Sequence, residues 1–239
     1  TQEVSQGRVD VIVNIAEQTT VAAVALAKEL EEKGADGLML LPPMRYGADS
    51  TETLAYFEAV IKATSLPIMI YNNPIDYKIP ITLEMFDYLK QFPNVTAIKE
   101  SSRDITYLTR LKIAFGDRYK ILSGVDNLAL ESLCMGADGW VAGLVCAFPA
   151  ETVAIYKLAK ANRIKEAIDI YRWFIPLLEL DVHPKLVQYI KLAEAGTNLG
   201  TEYVRKPRLT LEGAERLRVQ KIIDDGLAAR PILPDYKNI

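Results

Sequence analysis

Two short runs share one pattern. In PIMIYNNP (67–74) an apolar stretch ends on Tyr71 and a turn-forming Asn-Asn-Pro, and in VTAIKESS (95–102) another ends on Lys99. A phenol and an amine delivered at strand ends can do definite chemistry. A lysine in a poorly solvated place is disfavoured in its charged form, and its free amine is a nucleophile near neutral pH. Such an amine condenses with a ketone to an imine, whose protonated form is an electron sink. A nearby tyrosine can pass protons to the carbinolamine and to the leaving group. From spacing alone Lys99 equally fits a snorkelling surface lysine, and Tyr71 a packed interface aromatic. The residues after Lys99 read as a helix start, with Ser101 or Ser102 as cap and Asp104 in the first turn.

Strand ends are useful only if a sheet aligns them. Short apolar runs occur near 10–15, 37–41, 67–71, 95–99, 120–123 and 138–143. Amphipathic segments with helical spacing lie between and after them, near 20–33, 50–64, 82–91, 104–115, 127–135 and 149–161. Continuous apolar runs alternating with a 3.6-residue period predict an α/β protein with a parallel sheet. A Thr opens and Gly34 follows the first long helix, a cap pair. MGADG (135–139) repeats the KGADG that ends at Gly37, a helix stop followed by a strand start, as duplicated βα units would show. That echo fits a barrel and a doubly wound sheet alike.

The alternation ends near residue 162. Helical segments follow near 163–179, 184–198 and 212–228, with a KPRLTLEG connection between the last two. The expected organisation is an α/β body over 1–162 and a helical extension over 163–239.

The chain has 239 residues, 50% hydrophobic and 25% charged, with a net charge of −3. This is a globular composition, and its mild acidity without a basic block speaks against a nucleic-acid surface. No run approaches the ~18 apolar residues of a membrane span, and the opening TQEVSQGRVD lacks the apolar core of a signal peptide. Cys134 and Cys146 sit in apolar contexts and read as core thiols of a reducing compartment rather than a disulfide. His183 is the only histidine and has no ligand cluster around it in sequence, a poor metal candidate. No phosphate-binding glycine motif is present. Gly124, in SGVDN, fits either a turn or a close backbone approach to a ligand.

At YNNP, IKES, LSGVDN and GADGWVAG the chain resembles the dihydrodipicolinate synthase and N-acetylneuraminate lyase family of class I aldolases. The resemblance implies a (β/α)8 TIM barrel lacking its first two βα units, with a C-terminal three-helix extension. It implies that Lys99 forms a Schiff base with a 2-oxo acid or its cyclic equivalent, that Tyr71 relays protons, and that Gly124 and the backbone of Val141 lie beside the substrate. It implies no metal and no organic cofactor and, by family analogy, a tetramer, while the reducing compartment read from the cysteines sets the expected location as cytoplasmic. Two departures bear on substrate. Asp76 stands where the synthases usually carry an arginine after the Tyr-Asn-x-Pro motif, and LPPMRYG displaces their tyrosine pair. The later run from SGVDN to AIY resembles the family's 1-pyrroline-4-hydroxy-2-carboxylate deaminases, which places that reaction first. Dihydrodipicolinate synthase and a 2-keto-3-deoxy sugar acid aldolase stand as alternatives. A non-catalytic barrel remnant, acting as a binding subunit, is the alternative of another class.

Overall fold

The computed structural model describes all residues from Thr1 to Ile239. Six strands form one parallel sheet in chain order: β1 (Ile12–Ile15), β2 (Gly37–Leu40), β3 (Ile68–Asn72), β4 (Val95–Glu100), β5 (Lys120–Ser123) and β6 (Gly139–Trp140). The helices between them, after a short α1 (Gln2–Ser5), are α2 (Thr20–Glu32), α3 (Ser50–Ile61), α4 (Pro74–Tyr77), α5 (Leu83–Leu89), α6 (Ile105–Phe115) and α7 (Ala129–Cys134). Then come α8 (Pro149–Lys160), α9 (Ile164–Leu178), α10 (Leu186–Gly196) and α11 (Gly213–Ala228). This is the strand order of a (β/α)8 barrel, of which the chain carries six units, followed by three helices. No helix is long and apolar enough to cross a membrane.

Local chemistry accounts for the boundaries. The Thr19 hydroxyl accepts from the Ala22 N–H and caps α2. Asp49 and Glu52 form a reciprocal capping box at α3. Gly34 and Gly136, the first glycines of the two GADG echoes, have φ of 78° and 96°. Both follow a helix end in a left-handed conformation that a side chain would resist. The cap of α6 differs from expectation. It is Asp104, whose carboxylate accepts from Thr106 N–H at 2.8 Å, while Ser102 instead accepts from Asp104 N–H. Asp104 is the residue just before the helix, and the Ser102 hydroxyl is spent on the turn.

By compactness the chain divides at 122/123, into residues Thr1–Leu122 and Ser123–Ile239. The end of strand–helix alternation, which suggested a boundary at 162, follows α8. The two divisions describe different properties, packing and pattern.

In the first unit the strands bury one face against helices. Leu38, Leu40, Ile68, Ile70, Val95 and Ile98 are fully buried, as are Phe57, Val60, Phe86, Leu89 and Leu111 of the helices. Each such side chain contributes about 1.5–3 kcal/mol. Along β3 burial alternates, so Met69 and Tyr71 face the other side from Ile68, Ile70 and Asn72. Between β3 and β4 the register shifts by one: Ile68 opposes Val95, whereas Met69 opposes Ala97. The extra residue, Thr96, is exposed. This bulge sets Tyr71 opposite Lys99 and Asn72 opposite Glu100.

The second of those pairs is a lock. Buried Asn72 donates from Nδ2 to Glu100 Oε2 at 2.7 Å and accepts the Ile81 N–H at 3.0 Å. Glu100 Oε1 accepts the Ser102 N–H at 2.5 Å, and Ser101 N–H donates to the Asn72 carbonyl at 2.8 Å. At the opposite end of these strands Arg118 donates to the carbonyls of Lys90, Phe92 and Val95, each at 2.8 Å, tying the loop before β4 to the entrance of β5.

In the second unit one apolar cluster joins α8 to α11. Ala167, Ile170, Tyr171, Phe174, Leu177 and Leu178 form a buried stripe at helical spacing along α9. Trp173 stacks on Phe174 at 5.3 Å. Tyr171 Oη donates to the Asp126 carbonyl at 3.1 Å and accepts the Ala129 N–H at 3.0 Å, so the appended helices hold the turn after β5. Strand β6 is only two residues long, against an expected run to 143. The buried Asp126 carboxylate takes the N–H groups of Gly143 and Leu144 and the Trp140 indole, which diverts that backbone from a ladder. Both cysteines are free and exposed, contrary to the expectation of core thiols. Cys134 lies at the end of α7 beyond the buried Leu130 and Leu133, and Cys146 closes a turn whose buried member is Leu144. An apolar neighbourhood in sequence says which segment is buried, not which face.

Two predictions follow from these ties. Arg118→Ala loses its charge-assisted bonds to these three carbonyls and is expected to lower stability by about 1–3 kcal/mol in urea unfolding, with Arg118→Lys recovering only part. For Glu100, burial pushes the carboxyl above its usual value, against the lowering bonds from Ser102 and Asn72. The folded state therefore holds this proton more tightly than the unfolded chain, a contribution present at low pH and lost as pH rises through the folded value. The stability of the wild type relative to Glu100→Gln should fall as pH rises from the ordinary carboxylate range towards neutrality. A difference that stays flat across that range contradicts the assignment.

Candidate active site

Tyr71 and Lys99 meet at the carboxyl ends of β3 and β4, where parallel α/β folds place their working groups. Lys99 Nζ lies 4.1 Å from the centroid of the Tyr71 ring, over its face. Glu100 points to the other side of the strand, into its lock with Asn72, and does not neutralise the amine. Both side chains are half-buried, shielded enough to be held and open enough to be reached.

The turn after β3 builds a second wall. Asn73 is buried and caps α4 by accepting the Asp76 N–H at 3.2 Å. Its Nδ2 donates to Asp76 Oδ2 at 2.7 Å and to Tyr71 Oη at 3.2 Å. Tyr77 stands edge-on to Tyr71, with centroids 5.4 Å apart and an interplanar angle of 89°. Burial, then the neighbouring Tyr71 and Asp76, hold the Tyr77 phenol protonated far above its ordinary range. Asn73, Asp76 and Tyr77 thus surround Tyr71 from its own chain segment. Sequence reasoning assigned no positive role to Asn73 or Tyr77. The legible signal was the doubled Asn before Pro, which marks a side-chain-capped turn.

Gly124 follows β5, and Val141 follows β6. The Val141 N–H donates to the Ser123 carbonyl at 2.8 Å, so that group serves the sheet. Buried Asp126, two residues past Gly124, was not singled out from sequence, yet it organises the whole 140–144 loop.

The sequence profile of the dihydrodipicolinate synthetase family matches residues 1–225. A 4-hydroxy-tetrahydrodipicolinate synthase of Exiguobacterium sibiricum is 32% identical over 211 residues, covering 87% of this chain and 70% of that protein. The solved 4-hydroxy-tetrahydrodipicolinate synthase of Methylacidiphilum fumariolicum SolV superposes with a TM-score of 0.86 at 27% identity, over 95% of this chain and 77% of its own. A dihydrodipicolinate synthase structure from Agrobacterium tumefaciens gives 0.84 at 29% identity, over 93% and 76%. With the strand order, the register that opposes Tyr71 to Lys99, and these matches, the chain belongs to the dihydrodipicolinate synthetase family, whose members are class I lyases working through a Schiff-base lysine on 2-oxo acids.

Proposed function

We propose that Lys99 is the Schiff-base lysine and Tyr71 its proton relay, in a reaction of the 4-hydroxy-tetrahydrodipicolinate synthase type. The observation that carries this is the Lys99 amine over the Tyr71 ring at adjacent strand ends. The amine adds to the C2 carbonyl of a 2-oxo acid such as pyruvate, and a proton delivered through Tyr71 lets the carbinolamine hydroxyl leave as water. The protonated imine draws electrons from C3, whose proton is then removed. The resulting enamine carbon attacks an aldehyde, and water releases the product and restores the amine. Gly124 and the backbone of Val141 enter as substrate-side positions on the family resemblance alone.

The motif-level reading placed the pyrroline deaminase first. The relatives support the synthase instead, and the deaminase becomes the second reading. One observation keeps it in view: Asp76, bonded through Asn73 to the Tyr71 hydroxyl network, puts a negative charge beside the site. A second substrate carboxylate is repelled there, whereas a basic ring nitrogen is not.

Borohydride reduction in the presence of pyruvate should fix the pyruvyl group on Lys99, read as an added mass on the peptide that contains it. Lys99→Ala should abolish both the label and turnover. Tyr71→Phe should keep slow labelling and lose about 100-fold or more in kcat. Condensation of pyruvate with aspartate semialdehyde, compared with ammonia release from 1-pyrroline-4-hydroxy-2-carboxylate, separates the two readings. An unlabelled wild type, folded by circular dichroism, defeats both and leaves a binding role.

A further inference from the structure

The relay asks more of Tyr71 than proximity. A phenol has one proton and two lone pairs, and it works as a relay only if that proton points at the reacting atoms. Something must also receive the oxygen once the proton has left.

Asn73 has the geometry for both tasks. Its amide orientation is settled by its neighbours, because the Asp76 backbone N–H can only donate and therefore faces Oδ1. The NH2 group must then lie on the other side, where one hydrogen meets Asp76 Oδ2 at 2.7 Å and the other meets Tyr71 Oη at 3.2 Å. The amide is 5% exposed, so water does not compete for these bonds. Tyr77 blocks rotation of the Tyr71 ring from the edge, and Lys99 covers its face.

We propose that Asn73 is a positioning residue for Tyr71. Its N–H occupies one lone pair of the phenol oxygen, turns the phenol proton towards the substrate, and stays to bind the phenolate when that proton moves. Asn73 itself gains and loses no proton. The O–H bond of Tyr71 breaks as a bond forms to the departing hydroxyl, and the relay is reset when Tyr71 takes a proton back. Asp76, by accepting the other N–H, fixes the amide and keeps it aimed. This role rests on the assignment of Lys99 and Tyr71 made above.

The test uses exchange of the pyruvate C3 protons with D2O, followed by proton NMR, because this half-reaction needs the imine and the relay but no second substrate. Asn73→Ser keeps a cap oxygen for the Asp76 N–H yet is too short to reach Tyr71. It is expected to slow exchange about 10–100-fold, the range for losing one donor to a developing oxyanion. Its KM for pyruvate should stay within about threefold of wild type, and borohydride should still label Lys99. In a Tyr71→Phe background the same change should cost less than about twofold, since a residue acting through Tyr71 has nothing left to act on. Asn73→Asp, which keeps size and cap but removes the donor, should show the same loss and so guards against a misfolded serine variant. Multiplying losses in the double variant, or near-normal exchange in folded Asn73→Asp, overturns the proposal while leaving Lys99 in place. A wild type that pyruvate and borohydride do not label at Lys99 overturns the underlying assignment and this proposal together.

Discussion

The register between β3 and β4 is the constraint on which the candidate site depends. A one-residue slip would turn every β4 side chain to the opposite face. It would place Lys99 among the helices and Glu100 beside Tyr71, a buried carboxylate in place of an amine. Two devices prevent this. The bulge at Thr96 inserts the single extra residue needed to bring 71 opposite 99. The Asn72–Glu100 bond then pins the strand ends on the outer face, directly behind the pair that faces the site.

The lock is expensive and specific. Burial disfavours a charged Glu100, and only the bonds from Asn72 and Ser102 offset it. A mispaired strand would leave Glu100 charged and unpartnered, which penalises wrong registers more than it stabilises the right one. Asn72 also takes the Ile81 N–H, so the same side chain fixes the loop leaving α4. Precision at the site thus comes from strand ends, not from flexible loops. The short turn of Asn73, Asp76 and Tyr77 surrounds the phenol with groups from the same segment.

Much of the fold was legible because its signals are local. All six strands and the nine long or medium helices fall where apolar runs and helical periods place them, and the glycines of the GADG echoes mark real helix stops. The misreadings share a cause. β6 was overestimated because the ladder competes with a distant carboxylate, Asp126, which no local pattern announces. The cysteines were misplaced because apolar flanks do not reveal the angular position of a residue at a helix end or in a tight turn. The cap of α6 moved by two residues because Ser102 had a second suitor in the backbone of Asp104.

By itself the sequence placed an amine and a phenol at the ends of two apolar runs, together with the alternation that builds a barrel's units. Residue type and short-range periodicity are sufficient for that, since they depend on the chain's own neighbours. Tertiary structure alone decided that the amine lies over the phenol's ring, that an Asn73 N–H meets the phenol oxygen, and that Glu100 turns away from the amine to pair with Asn72. Those outcomes depend on one extra residue in a strand and on bonds between segments far apart in the chain. Only packing can weigh such long-range pairings against their alternatives.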